Sequence, residues 1–398
     1  MSADALMPTL DQAKPVHAGV AELPAELADA GSVRSPGHFP DDEGEIVSGP
    51  VINANVVDAL VLPRLVWLRP NLVGLVFTLS KLLPARFIVQ RAREEGALRP
   101  GGVIAETSSG TFGLSLAMVA RLHGHPLELV SDPSIEPPLQ RRLEELGATV
   151  HIVRDAGPSG AFQIARLELL ERILAENPDA FCPRQYTNPQ NPASFAPCAE
   201  QLAHAAGAVD CLVGPVGSGG SLCGTASFLR LLSPELSVVA VDTHHSVIFG
   251  LSEGRRTLRG LGNSLVPANV DHAAVDLVHW VGAAEAYHAT RRLHAEHAVF
   301  MGPTSGAAFL VADWYARNNP DALTAVILPD EGYRYQDTVY DDAWLEEKGL
   351  RLDAPPAGPV EWDHPHDGAE AWSYFRWGRR EYAEVMGAPP ERLELASL

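Results

Sequence analysis

The sequence predicts an α/β protein with parallel-sheet cores flanked by helices, and three observations carry that expectation. Short Val/Ile/Leu-rich runs alternate with longer runs of helical period between residues 103 and 178, the pattern of parallel strands joined by crossover helices. Two of the strands run directly into loops of glycine and hydroxyl residues, Thr107–Gly113 and Gly217–Ser221, that open helices. The chain has 398 residues, 46% hydrophobic and 20% charged, enough for one large or two medium domains with a sizeable core.

Charge and cysteine usage exclude several classes. With 50 acidic against 30 basic residues the net charge is −20, so neither nucleic acid nor an anionic membrane is expected as a partner. No apolar run reaches transmembrane length, and MSADALMPTL lacks a basic then apolar leader; a cytoplasmic location is the expectation. Cys182, Cys198, Cys211 and Cys223 show neither CxxC nor Cys/His ligand spacing. Buried thiols are expected rather than disulfides or zinc. His244–His245 follows Asp242, but adjacent histidine side chains diverge and no third ligand is spaced to match, so no metal is expected.

Along the chain, residues 1–45 are rich in Pro, Ala, Asp and Glu and read as an N-terminal extension. The runs VVDALVLPRLVWL and LVGLVF between 46 and 76 have strand composition. Lys81 begins a helical run, Leu82, Leu83, Phe87, Ile88 and Ala92, with Pro84 in its first turn and Gly96 and Pro100–Gly102 as stops. Val103–Ala105 is a strand, Thr107–Gly113 a loop, and Leu114 opens the helix LSLAMVARL. LELVSD is a strand, EPPLQRRLEELG a helix stopped by Gly147, ATVHIV a strand, and SGAFQIARLELLERILAENP a long helix. FCPRQYTNPQNPAS is a loop by its Pro and Asn content. Cys211–Val216 is a strand, Gly217–Ser221 a loop, and Leu222 opens a helix; SVVAVD follows as a strand ending at Asp242. Thr304 stands where it can cap the helix GAAFLVADWYARN, and AVILPDEGYRYQD is a strand followed by a loop. Residues 350–398 form a C-terminal extension, a Pro-rich linker and then a candidate amphipathic helix, AEAWSYFRWGRREYAEVMG.

The chemistry concentrates at the two glycine loops. A strand, a Gly/Ser loop and a helix start together point backbone N–H groups at an anion. Successive glycines at 217–220, with Ser218 and Ser221, suit a phosphate. No GK[ST] follows, so the loop is not a Walker A motif. Asp242 at the next strand end keeps a dinucleotide fold as a rival. Lys81, just before the first loop, supplies an amine able to act as nucleophile or base.

Lys81, Leu98, Pro100–Gly101, Glu106, Ser109–Gly110 and Gly113 fall in one register. In that register the chain resembles the cysteine synthase / cystathionine β-synthase family, two-domain fold type II enzymes that use pyridoxal 5'-phosphate (PLP). QYTNPQNP, Gly217–Ser221, Leu258–Asn263, FMGPTSGAA and AVILPDEGYRYQD resemble further blocks of that family in the same order. The resemblance implies that Lys81 forms the Schiff base with PLP. It implies that Ser108, Ser109, Gly110, Thr111 and Phe112, with Gln185, hold the substrate carboxylate. By the same resemblance Gly217, Ser218, Gly219, Gly220 and Ser221 hold the cofactor phosphate, and Thr304, beside Ser305, meets the pyridine nitrogen. A catalytic region over 46–349, a smaller mobile domain within it at about 85–190, and a homodimer are implied too. Thr111 stands where the family has an asparagine that touches the cofactor, and Phe112 where it has threonine. Phe195 and Ala196–Ala199 replace the family's histidine and Thr-Thr-Gly.

A neutral hydroxyl at the ring nitrogen leaves the cofactor a weaker electron sink, which favours expulsion of a β-leaving group over transamination. The expected reaction is PLP-dependent β-replacement on a serine- or cysteine-derived amino acid through an aminoacrylate, cysteine synthase-like, with Lys81 as general base. The expected partners are a small amino-acid substrate and a small nucleophile such as sulfide. The rivals are a cysteine desulfhydrase, a β-amino amino acid synthase using a nitrogen nucleophile, and a non-catalytic regulatory member of the family.

Overall fold

The computed structural model describes residues 52–156, 162–258, 260–350, 356–367 and 371–390. The N-terminal extension, Arg259, residues 159–161 at the head of the expected long helix and residues 351–355 of the Pro-rich linker lie outside the described residues.

The described chain starts with a difference from expectation. VVDAL is not a strand but a short helix, α1 (Val56–Leu60). Asn55 precedes it in extended conformation, and its side chain accepts from the Asp58 N–H at 3.0 Å. That N-cap overrides the strand-like composition of a short apolar run. The remainder forms strands as expected, and β1 (Arg64–Arg69) runs antiparallel to β2 (Leu72–Val76). The chain then turns through Lys81 into α2 (Leu82–Glu94).

A three-stranded parallel sheet follows, built from β3 (Ile104–Thr107), β4 (Leu127–Ser131) and β5 (Ala148–Ile152). Its crossovers are α3 (Thr111–His123) and α4 (Pro137–Glu145), and α5 (Phe162–Glu176) leaves it. Leu82, Val89, Leu116, Leu129 and Leu143 form its apolar core. Helix α3 begins three residues earlier than Leu114, which shortens the loop after β3 to Ser108–Gly110.

Next come α6 (Gln190–Ala193), α7 (Ala196–Ala206), β6 (Cys211–Pro215), α8 (Gly220–Leu232), β7 (Ser237–Thr243) and β8 (Leu277–Val281). They continue with α9 (Ala283–His297), α10 (Pro303–Asn318), β9 (Thr324–Leu328), α11 (Asp342–Glu347), β10 (Val360–Glu361), β11 (Ser373–Arg376) and α12 (Tyr382–Met386). The larger sheet has eight strands in the order β1-β2-β9-β6-β7-β8-β11-β10. Strands β2, β9 and β6 are buried at every residue, which is why their sequences are continuous apolar runs without alternation.

The C-terminal extension corrects a second expectation. From residue 371 on, where the segment 369–387 is described, it does not form one amphipathic helix. Within it, Ser373–Arg376 pairs antiparallel with β8, opposing Trp280 and His279, and only Tyr382–Met386 is helical. Two left-handed residues, Gly378 (φ 68) and Arg379 (φ 58), break any helix between the two pieces. Its aromatics fill the core beside β8 instead: Trp377 meets Phe249 edge-on at 5.2 Å, and Trp362, from the linker before the segment, stacks on Trp280 at 5.1 Å.

Parallel strands place their loops at one end. The turn to Lys81, the loop after β3 and the loop after β6 all leave carboxyl ends of strands, where open α/β sheets build their sites.

Candidate active site

Lys81 is the N-cap of α2. Its turn is pinned to the segment after β9: the Ser80 N–H donates to the Pro329 carbonyl at 2.8 Å, and the Glu331 N–H to the Thr78 carbonyl at 3.2 Å. The Lys81 Nζ donates to Ser218 Oγ at 2.9 Å, so the lysine and the second glycine loop meet. Burial of the amine disfavours its charged form and pushes its pKa down to about 8. A neutral amine, the form that acts as nucleophile or base, is therefore accessible near neutral pH.

The second glycine loop is shaped as an anion cradle. Helix α8 starts at Gly220, two residues earlier than expected, and its first-turn N–H groups face the loop. Gly219 is left-handed (φ 84), and a Cβ there would lie 2.5 Å from the Asn269 carbonyl oxygen, so only glycine fits. Ser218 Oγ also accepts from Asn191 Nδ2 at 3.2 Å, and the same amide nitrogen donates to the Gln185 carbonyl at 2.7 Å. Thr304 lies in the first turn of α10 and is buried; its Oγ1 would sit 3.4 Å from a Cβ on Gly260, which places it against the glycine-rich Gly260–Asn263 loop.

The first loop is held from below. Ser108 Oγ accepts from the Gly110 and Gly113 N–H groups at 3.2 and 3.0 Å, which fixes the loop and caps α3. Ser109, Gly110 and Thr111 are only half-buried. Phe112 differs from its expected place on the substrate wall: its side chain is buried in the core of the smaller sheet. An aromatic ring in the first turn of α3 gains more by packing on that core than by facing a polar cleft. Gln185 is buried, and its Nε2 donates to the Thr107 carbonyl at 3.2 Å. Its backbone N–H donates to Glu106 Oε2, also at 3.2 Å. The two loops are thus tied into one wall through Glu106, Gln185, Asn191 and Ser218.

Several residues of this site were not singled out as site residues from sequence. Glu106 is buried, its carboxyl pushed up to about 7 by desolvation. Asp242, at the end of β7, is buried and likewise raised to about 7 by desolvation; its Oδ1 accepts from the Thr243 N–H at 2.8 Å, and its Oδ2 has no hydrogen-bond partner among the described residues. Burial raises the pKa of the Tyr186 hydroxyl, which lies near the Asn263 side chain and feels the charges of Arg166 and Arg256. Asn263 Nδ2 reaches the Gly217 carbonyl at 3.4 Å. The signal for Glu106 and Tyr186 was their place inside matched motifs; Arg166 and Arg256 carry no local signal.

These residues fit PLP. An amine of lowered pKa adjoins a cradle where Gly219 leaves no room for a side chain, and Asn191 Oδ1, beside that cradle, is buried with no hydrogen-bond partner among the described residues. Residues 78–330 match the pyridoxal-phosphate dependent enzyme family. The N-(2-amino-2-carboxyethyl)-L-glutamate synthase of Ralstonia nicotianae is 38% identical over 278 residues, 69% of this chain and 81% of that protein. The synthase of the same name from Cupriavidus metallidurans is 36% identical over 304 residues, 75% of this chain and 87% of that one. An O-ureido-L-serine synthase structure superposes with a TM-score of 0.65 at 28% identity, covering 74% of this chain and 100% of that one. The O-acetylserine dependent cystathionine beta-synthase of Helicobacter pylori shares the fold, with a TM-score of 0.66 at 23% identity, over 73% of this chain and 99% of that one. The protein therefore belongs to the pyridoxal-phosphate dependent enzyme family, as a fold type II β-replacement enzyme with PLP as its cofactor.

Proposed function

We propose that the protein joins the amine of an acidic amino acid, L-glutamate, to the β-carbon of a serine-derived amino acid. A nitrogen–carbon bond forms, the bond to the β-leaving group breaks with its electron pair, and the amine gives up a proton. The observation that carries this choice is the identity to the two synthases over most of both chains, whose named product bears a 2-amino-2-carboxyethyl group on glutamate. It favours the nitrogen nucleophile among the alternatives open from sequence, over sulfide.

Bound PLP supplies the electron sink that lets an amino acid lose its α-proton and then its β-substituent. In this reading Lys81 would hold the cofactor, and its Nζ would take the α-proton of the donor. Ser218 orients that amine. The Ser108–Thr111 loop and Gln185 bind the donor carboxylate, Gly217–Ser221 the cofactor phosphate, and Thr304 the ring nitrogen. The three-stranded sheet moves as the smaller domain, carrying the carboxylate loop onto the donor and excluding water. A homodimer belongs to the same proposal and rests on the family resemblance.

The test offers the PLP-loaded enzyme O-phosphoserine or O-acetylserine as donor, with L-glutamate or sulfide as nucleophile, and identifies products by mass spectrometry. A glutamate adduct formed with kcat/KM at least about tenfold above that for sulfide is expected. Cysteine as the dominant product would refute the proposal.

A further inference from the structure

We infer that Arg256 recognises the side-chain carboxylate of the amine nucleophile and so sets the preference for an acidic amino acid; this deepens, and rests on, the function proposed above. Arg256 lies between β7 and β8. Its NH1 donates to the His245 carbonyl at 2.7 Å and its NH2 to Ser264 Oγ at 2.6 Å. Both partners are neutral. Other partly buried arginines, Arg69, Arg166, Arg230 and Arg292, each pair directly with an aspartate. Arg256 forms no such pair with a described residue; Asp242 and Glu253 act on it only as more distant charges. A guanidinium that is oriented, partly desolvated and unpaired is a site for an anion.

The surrounding loop is built to hold that orientation. His245 is left-handed (φ 62), a conformation that a side chain seldom adopts, and it turns the carbonyl toward Arg256. Gly254 makes room for the His245 ring, since a Cβ there would lie 2.8 Å from Nδ1.

Position selects the carboxylate. The Ser264 N–H donates to Asn263 Oδ1 at 2.9 Å, and Asn263 Nδ2 reaches the phosphate loop at the Gly217 carbonyl at 3.4 Å. Arg256 is thus held, through Ser264, on the segment that carries Asn263 to the phosphate loop. Its neighbours Arg255 and Thr257 are exposed while Leu258 is buried, so the residue lies at the rim. An amine attacking the donor β-carbon carries its α-carboxylate one carbon away, deep in the site. Its side-chain carboxylate lies several bonds farther out and reaches the rim. Arg166 is less suited to that role, because it is buried and already paired with Asp132 at 3.1 Å.

The test compares the PLP-loaded full-length enzyme with Arg256→Ala and Arg256→Lys, using L-glutamate and its neutral analogue L-glutamine as nucleophiles. Calorimetric titration of L-glutamate gives a second readout. Arg256→Ala should raise KM for glutamate by about 10- to 100-fold, with a smaller change in kcat, and narrow the glutamate/glutamine ratio of kcat/KM by a similar factor. Arg256→Lys should recover part of that loss, and the calorimetric Kd should move with KM. Equal losses on both nucleophiles, or a fall in kcat with KM unmoved, would overturn the inference. A wild-type enzyme that prefers glutamate and an Arg256→Ala variant that keeps the preference would overturn it alone. A wild-type enzyme that ignores glutamate and uses sulfide would overturn the proposed function as well.

Discussion

Lys81 gains its reactivity from position. The amine is buried, its charged form is disfavoured, and its only hydrogen-bond partner among the described residues is the neutral Ser218. Because burial lowers the pKa, the neutral fraction grows as pH rises toward about 8 and levels off above it. The apoenzyme should therefore react with an amine-directed reagent at Lys81 about tenfold faster per pH unit up to that point, whereas an exposed lysine should keep rising to about pH 10. Lysine occurs at Lys14, Lys81 and Lys348, so peptide mapping separates the sites. Borohydride reduction of the PLP-loaded enzyme should fix the cofactor on the Lys81 peptide, and Lys81→Ala should lose that label and about a thousandfold or more in turnover. At this scale the lysine and both glycine loops were legible, because each carries its chemistry in consecutive residues. Asn191, Asn263 and Arg256 were not, because their partners are brought to them by the fold.

Glu106 shows how an element can be locked by one side chain. It stands on β3, accepts from the Thr107 N–H at 2.8 Å, and accepts from the Gln185 N–H on the loop before α6. Desolvation raises its carboxyl from 4.5 to about 7. The folded state therefore holds a proton between these values that the unfolded chain has lost, and the stabilisation linked to it declines as pH rises through that window. Glu106→Gln has nothing to titrate there. The melting temperature of wild type relative to Glu106→Gln should fall between about pH 4.5 and pH 7, and a difference that stays flat across the window would contradict this account. Strands such as β6 and β9 were legible as elements, since burial on both faces demands unbroken apolar runs. The helix α1 and the strand β11 were not. One is decided by an asparagine cap, the other by pairing with β8 far away in sequence, and neither leaves a period in the local sequence.

Across the whole molecule, the C-terminal residues complete the larger sheet. Without β10 and β11, β8 would become an edge strand with Trp280 uncovered. Trp280 is wholly buried, so Trp280→Ala should cost about 3–5 kcal/mol in denaturant unfolding. A chain ended at residue 356 should unfold at lower denaturant and aggregate through that edge. Trp377 and Tyr382 also flank His272, whose Nε2 lies 2.8 Å from the Ile248 carbonyl, on the segment that leads to Arg256. A parallel sheet flanked by helices was legible from the alternation of strands and helices, but this closing strand was hidden by aromatics whose spacing suits a helix equally well. The central claim is that an amine, not sulfide, attacks the donor β-carbon. Its most direct test is a competition in which nitrogen-labelled L-glutamate and sulfide are offered together to the PLP-loaded enzyme with O-phosphoserine. Product in which the labelled nitrogen is bonded to the donor β-carbon is the predicted result, and cysteine with the label left in free glutamate would contradict the account.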